Sequence, residues 1–312
     1  MVTVLRNEAL CDPARRLKGF MENVSQDLIG DNIYNIPVPE DPNPASGRTL
    51  HVVEANSKVM LTSDKAGVQD LLMGGVFDES HHSVKRLLPS LEKLRDQVAG
   101  SWDPINECFK GGVKEVSRGH TVRESSNAIG NAYVVDQGTH VVHPASKTTP
   151  ARLYSAQLQL AMCSFIAFVQ IAFPGIFEVM EFARAEYNMI GPYGTTTFTQ
   201  FQQNIGHGGA AGASHNLHTD PNDSGLARTL HIGLNVGGGD GGHVYFPLHN
   251  MIYKIKFATM AMFLGLLPHV VTKQSPQNAR DFPDAMRISF VVYLSYGAVK
   301  NVIFNKEDIW LK

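Results

Sequence analysis

Cysteine is nearly missing from this chain. Its 312 residues hold three, Cys11, Cys108 and Cys163, widely spaced and without a CxxC pair. That excludes a disulfide framework and a cysteine-built zinc site, and it fits a reducing, intracellular setting, cytoplasmic or nuclear. Net charge is nearly missing too. Twenty-seven basic residues stand against 29 acidic ones, giving a formal charge of −2 and a pI near 6.7. No global basic field exists to hold a polyanion. The opening stretch MVTVLRNEALCDPARRLKGF has scattered charges and no apolar run, so no secretory signal is expected. The longest apolar run, AMCSFIAFVQIAFPGIF from Ala161 to Phe177, contains Gln170 and Pro174. It falls short of about 18 clean apolar residues, which points to a buried core helix and to no membrane partner.

What is present is ordinary globular material, 43% hydrophobic and 18% charged, ample for a sizeable core. Residues 11–30 have Leu17, Phe20, Met21, Val24 and Leu28 at helical spacing. Four prolines in Ile36 to Gly47 make an extended connector. Leu50 to Leu61 alternates loosely, as a strand does. A helix is expected from Thr62 through VQDLL, stopping near Gly74-Gly75. A second is expected over His82 to Val98, with Val84, Leu87, Leu88, Leu91 and Leu94 as its stripe. Residues 100–150 read as loops or short strands. Thr149 to Ile190 reads as a long helical stretch broken at Pro174.

After Gly191 the texture changes to short β-rich runs: Thr195–Gly206, Thr229–Val236, His243–Pro247, Met251–Phe257, Met260–Leu267 and Ile288–Tyr296. Such spacing is that of an antiparallel sandwich or barrel. The expected fold class is therefore α+β: a jelly-roll core from about 195 to 300, with an N-terminal helical elaboration packed on one sheet. Residues 1–150 form the helical or irregular region and 151–312 the β domain with its preceding support helix, together one catalytic unit.

Seven of the 13 histidines lie between His207 and His269. His218 is distinguished by Asp220 two residues on, because residues i and i+2 of an extended segment point the same way. His215 has Leu217 at that offset, which cannot ligate. A facial set of two histidines and one carboxylate suits non-haem Fe(II) and leaves the opposite face open. The second histidine should lie several strands downstream beside a strand, and His269 does, directly after MAMFLGLLP. Beyond it, MRISFVVYL carries Arg287 and Ser289 two apart at the start of a strand. A guanidinium beside a hydroxyl is a fitting receptor for a small dicarboxylate. Arg280 is the rival anchor, but ARDFPDA reads as a loop. The glycine-rich GHGGAAGAS and VGGGDGGH match no phosphate cradle; the first reads as a flexible lid and the second as a hairpin turn.

HxD, a distal His and RxS on the last core strand together resemble the Fe(II)/2-oxoglutarate-dependent dioxygenases. The run YKIKFATMAMFLGLLPH is similar to theirs, although Ala258-Thr259 stands where Gly-Asp is common. HTDPNDSG followed by LHIGLNVGGGDGGHVYFPL is similar to the TET/JBP-like branch of modified-base oxygenases. Prolyl hydroxylases and microbial small-molecule hydroxylases share the same outline. The resemblance covers roughly residues 195–300.

The resemblance implies a double-stranded β-helix, with His218, Asp220 and His269 holding Fe(II). It implies 2-oxoglutarate as cosubstrate, its distal carboxylate on Arg287 with Ser289 assisting, and O2 as oxidant. Asn204, with Gln202, lies on the strand before the triad, where the family often places a cosubstrate or substrate contact. The activity implied is hydroxylation or oxidation of a C–H bond, with succinate and CO2 as co-products. A methylated nucleic-acid base is the substrate class of the TET/JBP-like branch; small molecules and proteins are those of the others. Lys85, Arg86, Lys93, Arg95, Lys110, Lys114, Arg118 and Arg123 would track phosphates if they line one groove. Otherwise those on the 82–98 helix are its solvated face.

Overall fold

The structure is a computed structural model. It describes residues 27, 31–37, 49–62, 70–100, 113–117, 121–130, 132–134, 140–142, 155–187, 190–191, 194–195, 200–207, 217–220, 228–238, 241–272, 281 and 285–293. In chain order the strands are β1 (Asn32–Pro37), β2 (His51–Val53), β3 (Ser57–Thr62), β4 (Leu71–Phe77), β5 (Val113–Ser117), β6 (Thr121–Gly130), β7 (Ala132–Val134), β8 (His140–Val142), β9 (Ile190–Gly191), β10 (Gly194–Thr195), β11 (Gln200–His207), β12 (Thr229–Gly233), β13 (Val244–Phe246), β14 (Met251–Tyr253), β15 (Met260–Phe263), β16 (Val270–Val271) and β17 (Met286–Tyr293). The described helices are α1 (His82–Lys85), α2 (Leu88–Gly100), α3 (Ser155–Ala172) and α4 (Pro174–Tyr187).

Nine strands form one sheet in the order β1-β3-β4-β15-β12-β17-β11-β6-β5, and four form another in the order β16-β13-β14-β2. From β12 onward the chain passes back and forth: β12 in the large sheet, β13 and β14 in the small, β15 in the large, β16 in the small, β17 in the large. That alternation is a jelly roll. One apolar cluster joins the two sheets. Val59, Leu61, Met73, Val76, Ala261 and Phe263 come from the large sheet; Val53, Val244, Phe246, Met251 and Tyr253 come from the small one.

Two departures from the sequence expectation concern the N-terminal part. Leu71–Phe77 is a strand, β4, and not the end of a helix. Its LLMGGVF is buried on both faces, so it carries no alternation to mark it as a strand. The glycines there serve close backbone approach. A Cβ on Gly74 (φ +149°) would sit 2.0 Å from the Met262 carbonyl oxygen, and one on Gly75 would sit 2.5 Å from that of Ser57. The pairing with β3 also shifts register at Val59/Met60, a bulge. More broadly, the first 150 residues add strands to both sheets. β1, β3, β4, β5 and β6 extend the large one, and β2 joins the small one parallel to β14. The expected amphipathic helix over 11–30 lies almost wholly outside the described residues.

The helix expected over His82–Val98 is present in two pieces, α1 and α2. Pro89 explains the break, since its ring clashes with the carbonyl four residues back and suits the first turn of a new helix. Pro174 likewise separates α3 from α4. On the side of β4 away from the inter-sheet core, Phe77 meets Phe168 and Phe173 edge-on, at 5.6 and 5.5 Å between ring centroids. The apolar run of 161–177 thus sends one face into the core, with Phe165, Phe168, Val169, Phe173 and Ile176 buried, and no helix among the described residues is long and apolar enough to cross a membrane. Buried Asp27 receives the N–H groups of Gly175 (2.6 Å) and Ile176 (3.1 Å), capping α4 from a remote part of the chain. Lys58 donates to the Asp27 carbonyl and pairs with Asp31 at 2.9 Å.

Candidate metal centre and anion pocket

His218 and His269 form an isolated antiparallel bridge, which places their side chains next to each other. Asp220 N–H donates to the Gly265 carbonyl (2.8 Å), which seats the carboxylate two residues beyond His218. His218 Nε2 lies 3.6 Å from Asp220 Oδ1, and His269 Nε2 lies 3.5 Å from Asp220 Oδ2. One ligand atom from each of the three lies within 4.8 Å of the others. Among the described residues no other group of histidine, cysteine and carboxylate side chains does this.

The environment suits a cation. His269 Nδ1 donates to the Leu267 carbonyl (2.8 Å), which fixes the tautomer and turns the Nε2 lone pair toward Asp220. Phe263 and Phe246 wall the ring, at 5.1 and 6.0 Å between centroids. Burial holds His269 below the ordinary imidazole value, against the pull of Asp220. Burial also pushes the Asp220 carboxyl up, although both imidazoles pull it down. A divalent cation here would stabilise the carboxylate and needs a neutral imidazole. The His218 side chain is 40% exposed and that of His269 only 5%, so the cluster opens to solvent on the His218 side. Exposed Leu217 stands beside that opening.

Arg287 and Ser289 are buried on β17. The glycine of GGGDGGH nearest the strand, Gly242 (φ +73°), supports the first of them. A Cβ there would sit 2.5 Å from Arg287 Cδ and 2.6 Å from Nε. Gly242 N–H in turn donates to the Thr272 carbonyl, three residues past His269. The guanidinium arm therefore runs from the large sheet toward the small one, into the same interior as the triad. Ser289 Oγ is buried and makes no hydrogen bond among the described residues, so a hydroxyl is held ready for a ligand. Asn204 on β11 is the register partner of Ser289. This donor set, a guanidinium and a hydroxyl at one end and two imidazoles with a carboxylate at the other, fits a small dicarboxylate beside Fe(II).

Gly242 was legible only as a turn residue; its closeness to Arg287 depends on the sheet-to-sheet packing. His231, visible as one histidine among seven, also proves to be interior. His215 and Arg280 lie outside the described residues.

Fold and site together define a class: a jelly roll with a His-Asp-His cluster in its mouth. No protein-family model matches the chain, and no curated protein matches it. Among solved structures it is similar to NgTET1 in complex with 5mC DNA, at a TM-score of 0.53 and 10% identity, over 90% of this chain and 92% of that one. It is also similar to a 2OG-Fe(II) oxygenase family oxidoreductase from Burkholderia pseudomallei, at a TM-score of 0.31 and 14% identity over 66% of this chain and 89% of that one. A further likeness is to the dioxygenase for auxin oxidation 1 from Arabidopsis thaliana in complex with 2-oxoglutarate, at 0.33 and 13% over 72% and 84%. The first likeness spans nine-tenths of both chains and shows a shared fold.

Proposed function

We propose that this chain is an Fe(II)- and 2-oxoglutarate-dependent dioxygenase that hydroxylates or otherwise oxidises a C–H bond. The observation that carries the reading is the convergence of His218, Asp220 and His269 at one end of the interior that holds Arg287 and Ser289. His218, Asp220 and His269 would hold Fe(II) and leave room for cosubstrate and oxygen. Arg287 takes the distal carboxylate in its fork, Ser289 gives its hydroxyl to the same group, and Asn204 adds a contact from the neighbouring strand. Bound iron supplies oxygen activation coupled to loss of CO2 from 2-oxoglutarate, with one oxygen atom going to succinate and the other to the substrate. The aromatic wall of Phe246 and Phe263 keeps water from the His269 side. Residues 1–150 and 151–312 act as one unit, the former including the α1 and α2 helices.

The substrate we favour is a methylated nucleic-acid base, in view of the fold shared with NgTET1, which is complexed with 5mC DNA. One observation favours a small-molecule or protein substrate instead. Across β5 and β6 the register sets each basic residue level with an acidic one, Lys114 with Glu124 and Arg123 with Glu115, so these two strands carry no excess positive charge.

The test is to add Fe(II) and 2-oxoglutarate without oxygen and to look for the weak visible metal-to-ligand charge-transfer band. The band is expected in the wild type and lost in His218→Ala and Arg287→Ala. Bound iron with no band would sink the 2-oxoglutarate reading and leave a metal-binding jelly roll. Methylated DNA is then the first substrate to incubate aerobically, with succinate and oxidised nucleosides measured.

A further inference from the structure

We propose that His231 is a further contact for the dicarboxylate cosubstrate, set between the metal ligands and the Arg287–Ser289 pair; this rests on the 2-oxoglutarate reading above. His231 is in the middle of β12 and only 3% exposed. Two observations aim it into the inter-sheet space. Gly233, two residues on and so on the same face, backs directly onto the small-sheet side, where a Cβ would lie 2.1 Å from the Lys256 carbonyl oxygen and 2.6 Å from Ile255 Cγ2. The His231 ring also lies 6.5 Å from that of Phe263, which belongs to the inter-sheet cluster and packs 5.1 Å from His269.

Register fixes its place relative to the anion pocket. Gly233 is level with Ser289 and His231 with Val291. His231 is therefore the diagonal neighbour of Ser289, within reach of a side chain as long as imidazole, and no β12 side chain stands between them. On its other flank, Ala261 is its partner on β15, and there the apolar half of the interior begins. His231 thus marks the border where the buried face turns from hydrocarbon to polar groups. A bulky aliphatic residue would serve the apolar half as well. An imidazole at this border supplies a hydrogen-bond donor to an anion lying between Arg287 and the triad.

The experiment titrates 2-oxoglutarate into the Fe(II)-loaded full-length protein without oxygen, reading the charge-transfer band, with Fe(II) affinity measured separately. His231→Phe keeps the bulk and removes the donor. It is expected to weaken 2-oxoglutarate binding about tenfold, the loss of one hydrogen bond to a charged group. Fe(II) affinity should stay within about twofold, and His231→Gln, which restores a donor, should recover most of the cosubstrate affinity. Should His231→Phe not fold, His231→Met makes the same comparison. Unchanged cosubstrate affinity in the donor-less variant would overturn the proposal. So would a parallel loss of iron and cosubstrate binding, which marks a structural role. A wild type that binds iron but gives no band would overturn the cosubstrate reading itself, and this proposal with it.

Discussion

The main chains of His218 and His269 hold each other: His218 N–H donates to the His269 carbonyl at 3.0 Å, and His269 N–H to that of His218 at 2.9 Å. Two residues far apart in sequence are thereby locked side by side without any help from their imidazoles. Removing either side chain leaves this frame in place. His218→Ala, Asp220→Ala and His269→Ala should each lower Fe(II) affinity by at least about 100-fold, more than the loss of an outer-shell partner brings. Their thermal unfolding should stay close to wild type. Calorimetric iron titration beside a melting curve checks both halves.

Gly242 offers a way to perturb Arg287 without touching it. An alanine there meets the Arg287 side chain at 2.5 Å and must also adopt a φ of +73°. Gly242→Ala should destabilise the fold by about 1–2 kcal/mol and weaken 2-oxoglutarate binding, leaving iron affinity near wild type. Denaturant unfolding and cosubstrate titration read the two effects separately.

Ala258 sits buried in the left-handed region, φ 57°, at the turn where the resembling family commonly has glycine. Thr259 compensates beside it: its hydroxyl accepts from the Lys256 N–H at 2.9 Å and closes the turn. Ala258→Gly relieves the backbone strain at some cost in unfolded-chain entropy, a net gain of about 0.5–1 kcal/mol. A rise in the denaturation midpoint with an unchanged slope is the expected result.

His81 gives stability a pH dependence. Burial holds its imidazole below the ordinary 6.5, outweighing the raising effect of Asp31 3.3 Å away. A depressed folded value means that the unfolded chain binds the proton more readily. The contribution is then fully present above about pH 6.5 and is lost as pH falls through the folded value. His81→Asn can still accept from the Ser83 N–H at the start of α1 but does not titrate. Between pH 7.5 and 5, the melting temperature of the variant should fall less than that of the wild type.

The parts legible in the sequence were those whose signal is local. HxD places His218 and Asp220 on one side of an extended segment within three residues. Pro174 breaks a helix wherever it falls, and the short runs from 229 to 293 are bounded by their own turns. The parts that were not legible depend on distant partners. Nothing inside LLMGGVF says that a Cβ on Gly74 would come within 2.0 Å of the Met262 carbonyl oxygen, so the two glycines read as a helix stop. Arg287 beside Gly242, and His231 level with Val291, exist only once two sheets and a register are in place.

The parallel pairing of β2 with β14 sets a timetable. His51 is matched with Met251, about 200 residues later in the chain. At a synthesis rate of about 5–20 residues per second, the small sheet's edge strand leaves the ribosome roughly 10–40 s before its neighbour exists. While β1, β3 and β4 can pair with one another early, β2 must wait for β14, and loop closure over that distance precedes any gain from the contact. Birth of the active fold is consequently a late event, and the nascent chain spends its longest exposed interval with the N-terminal edge uncovered.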